Sequence, residues 1–175
     1  GDLHNGASRW IEVNGCNVFI AAATPMDRHG YFMIPLCLIH EKTFLEAADR
    51  VILQVNPNLP RIYGDTEVHI RDVDMIVEAE TPLPYLPVST PNELEMTIGN
   101  YVASLVNDGD CIQLGIGGIP DAAALALKDK HDLGVHSEMI TNSMVELVKQ
   151  GVITGRKKNF MPGKIVGTFA YGTQA

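Results

Sequence analysis

The sequence predicts an α/β fold, a mainly parallel, doubly wound sheet with flanking helices. Short apolar runs closed by Gly, Pro or Asn recur along the chain as strand candidates. Segments between them carry helical spacing with start and stop signals. The two kinds alternate as β-α-β through most of the 175 residues, the order that places strands parallel and joins them by crossovers. With 46% hydrophobic residues the chain is long enough to bury a core of its own. The organisation expected is an unplaced N-terminal segment over residues 1–16 and an α/β domain over residues 17–175.

Asn17 to Thr24 is a buried-strand candidate ended by Pro25, and Asp27 to Gly30 forms a turn that holds His29, a possible substrate contact. Ile39 to Ala48 reads as a helix, and Val51 to Val55 as a strand that NPNLP stops. After a turn at Gly64 and Asp65, Glu67, His69 and Asp72 invite a metal reading. Thr66, Val68 and Ile70 alternate with Glu67, His69 and Arg71, however, which favours a half-exposed strand. TPLPYLPVSTP, from Thr81 to Pro91, is a proline-rich crossover and the best internal linker. Thr90, Pro91 and Glu93 then read as a capping box, with Leu94, Ile98, Val102 and Leu105 as the inward stripe and Gly109 as the stop. Farther on, Ser143 and Glu146 repeat the box spacing, Met144, Leu147 and Val148 face inward, Met139 and Met144 belong to the core, and Gly151 terminates. Lys164 to Tyr171 is the last strand candidate.

Between these lies CIQLGIGGIPDAAALALKDKHDLGVHSEM, from Cys111 to Met139. It reads as strand, glycine turn, helix ending near Lys130, and a second strand from Leu133 to Val135 whose end delivers His136, Ser137 and Glu138. Pro120 and Asp121 suit a first helical turn. Two functions compete for this stretch. GIGGIP resembles G-x-G-x-x-G, with Glu138 placed to hold a ribose hydroxyl, although Pro120 replaces the third glycine. Alternatively the bare amides of the turn stabilise an oxyanion in acyl transfer, and Glu138 is the nucleophile.

The formal charge of −8 argues against nucleic acid, which is met by clustered Lys and Arg. The acidic groups crowd residues 41–110, while Lys128, Lys130, Lys149, Arg156, Lys157, Lys158 and Lys164 fall between 128 and 164, the region an anionic ligand would prefer. Arg156 to Lys158 otherwise reads as a solvated basic turn. No apolar run approaches the roughly 20 residues of a membrane span, and the first residues lack a signal-peptide layout. Cys16, Cys37 and Cys111 are odd in number and set among apolar residues, as reduced core thiols would be. A cytoplasmic or organelle-matrix protein without membrane or metal is expected.

GIGGIPDA followed by LGVHSEMI resembles the acetyl-CoA hydrolase/transferase family, which includes the 4-hydroxybutyrate and butyrate CoA-transferases. NVFIAAATPMDRHGYF, IYGDTEVHIRDVD and KIVGTFAYGT resemble further segments of that family, in its order. The resemblance implies an acyl-CoA:carboxylate CoA-transferase in which Glu138 forms the glutamyl-CoA thioester and Gly117 and Gly118 make the oxyanion turn. Gly115, Ile116, Ile119 and Pro120 are then the expected contacts to substrate or CoA. Coenzyme A is a substrate, and no permanently bound cofactor is implied. The partners implied are an acyl-CoA, a short acid such as acetate, butyrate or 4-hydroxybutyrate, and a second α/β domain beyond Ala175, with a CoA site between the halves, in a homo-oligomer. An acyl-CoA hydrolase of the same family and a nucleotide-binding module, non-catalytic or nicotinamide-dependent, are the alternatives.

Overall fold

The computed structural model describes residues 5–85 and 90–173. Residues 1–4 of the unplaced segment and 86–89 of the proline-rich crossover lie outside the described residues. The chain divides into two compact units, Gly1–Pro84 and Tyr85–Ala175, so the division falls within that crossover. The class is α/β, with parallel strand pairs and flanking helices.

In the first unit the previously unplaced segment forms a helix, α1 (Gly6–Asn14). A parallel sheet follows with strand order β1-β3-β5, where β1 is Val18–Ala23, β3 is Arg50–Val55 and β5 is Met75–Glu78. One face carries Phe19, Ala23, Val51, Leu53 and Val55 into a core completed by Phe32, Ile34 and Val68. The helix α2 (Glu41–Ala47) leans Phe44 and Leu45 on that core. An antiparallel pair, β2 (Tyr31–Met33) with β4 (Glu67–His69), is the exception to parallel pairing. Glu67, Val68 and His69 do alternate, with only Val68 buried. Among the described residues no group of three His, Cys, Asp or Glu side chains is gathered to hold a metal ion.

The Asp27–Gly30 turn is held by its own carboxylate: Asp27 Oδ1 accepts from the backbone N–H of Tyr31 and of His29, both at 2.9 Å. Those bonds, led by the one from Tyr31, hold the carboxyl below its ordinary value, with Arg61 adding to the effect. His29 is exposed and its Nε2 accepts from Arg28 Nε within the same turn, at 3.0 Å.

In the second unit α3 (Glu93–Ser104) packs on α4 (Gly118–Ala126). The cap of α3 is Asn92, in a box with Glu95, two residues later than the Thr90–Glu93 pair. The expected stripe is also turned outward, with Leu94 69% and Leu105 80% exposed, while Gly99 and Ala103 are buried. The helices approach too closely for large side chains: a Cβ on Gly99 would lie 2.6 Å from the Ala122 carbonyl carbon. The α3 helix ends at Ser104 and α4 at Ala126, before Gly109 and Lys130 respectively.

Parallel strands β6 (Cys111–Ile112) and β7 (Gly134–Val135) form one pair, β8 (Met139–Thr141) and β9 (Phe169–Tyr171) another. The helix α5 (Asn142–Lys149) buries Met144 and Leu147, but Val148 is 40% exposed. Its N-cap is Thr141, whose Oγ1 shares a 2.9 Å hydrogen bond with Ser143 Oγ, while Glu146 pairs with Lys149 instead of closing a box. Met139 is buried as well. None of the three cysteines is in a disulfide, but Cys111 is exposed and Cys16 and Cys37 are half-buried, so none is a core thiol. No helix among the described residues is long and apolar enough to cross a membrane.

Candidate functional site

Glu138 stands where one extended run changes partners. His136 N–H donates to Ile112 O at 3.1 Å, the last bond toward β6, and Ser137 N–H donates to Val166 O at 2.9 Å on the opposite side. Beyond the switch the run resumes as β8, a strand the sequence did not reveal. Glu138 occupies the bend between β7 and β8. Its carbonyl accepts from Thr168 N–H at 2.9 Å, Phe169 N–H at 3.3 Å and Thr168 Oγ1 at 2.6 Å. The residue is exposed all the same. A fixed backbone with a solvent-reaching carboxylate is what a positioned nucleophile requires.

The glycine turn follows β6. Gly117 has φ 118° and ψ 173°, a conformation open to glycine and strained for L side chains. Gly118 opens α4, Pro120 is its third residue, and Asp121 N–H makes the first helical bond, to Gly117 O at 3.1 Å. Helix starts leave their first amides without intrahelical acceptors, and the N–H groups of Gly117 and Gly118 meet none among the described residues. Gly115 is exposed and Pro120 half-buried, while Ile116 and Ile119 present 53% and 43% of their surface.

One bond ties the two features together. Ser137 Oγ donates to Leu114 O at 3.0 Å, so the residue before Glu138 is fastened to the residue before the turn. Carboxylate and amides therefore leave adjacent parallel strands at their carboxyl ends, the edge where open α/β sheets carry ligand sites. A groove of about 700 Å³ opens beside the turn, lined by Ile116, Gly117, Leu125, Asn142, Val145 and Tyr171 among others.

Three features were not read from the sequence. The Glu95 carboxylate lies directly against Gly118, where a Cβ would collide with it; the Asn92–Glu95 spacing was the available signal. His136 stacks on Phe160, with ring centres 5.7 Å apart and planes 20° from parallel. In the basic run Arg156 and Lys157 do form an exposed turn, from which they reach Asp132 at 3.3 and 3.9 Å, but Lys158 is buried.

A family model described as the acetyl-CoA hydrolase/transferase N-terminal domain matches residues 10–87. The 4-hydroxybutyrate coenzyme A transferase of Clostridium kluyveri is 46% identical over 158 residues, 90% of this chain and 37% of that protein. The succinyl-CoA:cyclohexane-1-carboxylate CoA transferase of Geobacter metallireducens is 42% identical over 150 residues, 86% of this chain and 34% of that one. RipA from Yersinia pestis superposes with a TM-score of 0.92 at 36% identity, over 99% of this chain and 41% of its own. This chain thus spans little more than a third of the length of the curated relatives it matches. With the match running through both units and past the Glu138 bend, the chain belongs to the acetyl-CoA hydrolase/transferase family.

Proposed function

We propose that this chain carries the nucleophile and the oxyanion turn of an acyl-CoA:carboxylate CoA-transferase acting through a glutamyl-CoA thioester on Glu138. The acceptors proposed are acetate and acids of the butyrate or 4-hydroxybutyrate type, with coenzyme A as substrate. The observation that supports this best is the Ser137–Leu114 tether, which brings an exposed carboxylate and unspent glycine amides to one sheet edge. A Glu138 oxygen attacks the acyl-CoA carbonyl and expels CoA thiolate, leaving a mixed anhydride. The thiolate attacks the glutamyl carbonyl, releases the acyl group as its carboxylate, and leaves CoA on the protein as a thioester. A second carboxylate then runs the two steps in reverse. No net proton moves, and each tetrahedral stage places negative charge on an oxygen, where one well-placed amide of Gly117 or Gly118 is worth about 3 kcal/mol.

Glutamate suits this exchange because every intermediate stays reactive, whereas a serine ester would be a sink. Gly115, Ile116, Ile119 and Pro120 supply the wall of the turn to substrate and CoA, and the remainder of the polypeptide, in a homo-oligomer, completes the grip. Hydrolysis, in which water takes the thioester, is the less favoured variant because the relatives' names are transferases. The nucleotide-module reading is weakened by Pro120, which stands in place of the third glycine of the G-x-G-x-x-G pattern. The test is mass spectrometry of the full-length protein after incubation with acetyl-CoA. A CoA adduct is expected on the peptide holding Glu138 and is absent from Glu138→Gln, which keeps CoA affinity within a few-fold. Turnover by Glu138→Gln, with deamidation excluded, would overturn the assignment.

A further inference from the structure

We infer that Lys158 is a positioning residue for Glu138, an inference that rests on the transfer reading above. Lys158 is only 7% exposed. Its Nζ donates to Val135 O at 2.8 Å and to Lys164 O at 2.7 Å, and among the described residues no carboxylate pairs with it. An ammonium taken out of water and answered by neutral carbonyls is disfavoured relative to an apolar side chain of similar length. The fold nevertheless makes space for it. A Cβ on Gly134 would collide with Lys158 Cγ and come within 2.9 Å of Cδ, so β7 lacks a side chain where the lysine stem crosses it.

The two carbonyls belong to the two segments that hold Glu138. Val135 closes β7, three residues before the nucleophile. Lys164 opens the segment whose Val166 accepts from Ser137 N–H and whose Thr168 and Phe169 donate to Glu138 O. Val166 N–H also donates to Val135 O, at 3.2 Å. Lys158 therefore clamps, from beneath, the two segments whose relative position sets the bend. The loop that carries it is anchored independently. Arg156 reaches Asp132, Thr154 Oγ1 donates to Asp132 Oδ1 at 2.8 Å, and Phe160 stacks on His136. Removing the ammonium leaves these anchors in place and releases only the clamp. A displacement of Glu138 by about an ångström is enough to slow an aligned attack by roughly two orders of magnitude.

The experiment compares wild type, Lys158→Met and Lys158→Arg in the full-length enzyme, reading kcat, KM for acyl-CoA, and the rate at which the CoA adduct forms on Glu138. Lys158→Met is expected to slow adduct formation and kcat by about tenfold or more, with KM within threefold. Lys158→Arg keeps the charge and donors and is expected to recover part of the rate. Adduct formation at the wild-type rate in Lys158→Met overturns the role. Should Lys158→Met not fold, Lys158→Gln, which removes the charge and shortens the reach to the two carbonyls, decides: slowed adduct formation at unchanged KM supports the clamp, and the wild-type rate overturns it. A wild-type enzyme that forms no adduct overturns the transfer reading and this inference together, whereas an adduct formed equally fast by every folded variant overturns this inference alone.

Discussion

A Cβ on Gly118 would run into the Glu95 carboxylate, whereas one on Gly117 would meet nothing within 4 Å, so the two glycines of the turn can be separated by substitution. Gly117→Val leaves packing untouched but strains a residue at φ 118° and crowds the amide, and the chemical step should fall about a hundredfold or more. Gly118→Ala should instead lower the melting temperature modestly, because it displaces the Glu95 carboxylate from its capping bond with Asn92 N–H. Circular dichroism beside single-turnover kinetics checks both. Gly117→Val folded and fully active would remove the oxyanion role. The turn and Glu138 were legible because their signals are local: three glycines ahead of a helix, and an acidic residue after a buried strand. Lys158 was not, because its burial depends on the missing side chain of Gly134, far away in sequence.

Between elements, three carboxylates act as ties, and their protonation weakens the fold in acid. Asp27 closes the turn between β1 and β2. Asp74 accepts from Val51 N–H at 2.8 Å and Arg50 Nη1 at 2.7 Å, joining the start of β5 to β3. Asp108 accepts from His131 N–H at 2.7 Å. Each carboxyl is held below its ordinary value, first by a backbone N–H, from Tyr31, Val51 and His131 respectively. A depressed folded pKa means the native state binds the proton less readily than the unfolded chain does. The stabilisation is therefore complete above the unfolded value of about 4 and is lost as pH falls through the lowered native values. Melting temperatures of wild type and Asp74→Asn should differ at pH 6 and converge toward pH 2; a constant gap would refute the linkage. Element type was readable from periodicity at β1, β3, α2 and α5, yet β2, β5 and β8 escaped notice. These strands are three or four residues long and have no period to speak of, being fixed by partners elsewhere in the chain. The α3 stripe misled for the opposite reason: its period is real, but the close approach at Gly99 selects the small face for burial.

At the scale of the whole molecule, the outward apolar residues bear on catalysis. On α3 and at its C-cap, Leu94, Tyr101 and Leu105 are 69%, 72% and 80% exposed, and in the first unit Ile20 and Met75 are 67% and 55% exposed. Scattered apolar exposure is ordinary, but a row of large side chains along one helix marks a surface suited to further contact. Coenzyme A is a long ligand, and the proposed transfer would draw on binding energy remote from the thioester to hold it against Glu138. This chain offers the turn, the groove beside it and the proposed nucleophile, while Arg156, Lys157 and Lys149, three of its cations in that region, are already paired with Asp132 and Glu146. The 175 residues alone should therefore turn over acetyl-CoA at a negligible rate. Adding the complementary remainder of the polypeptide should restore transfer and shift the chain's sedimentation from self-association to a defined complex. Turnover by the isolated chain equal to that of the full-length enzyme would show that the site is complete in this sequence and that the remote grip lies within it.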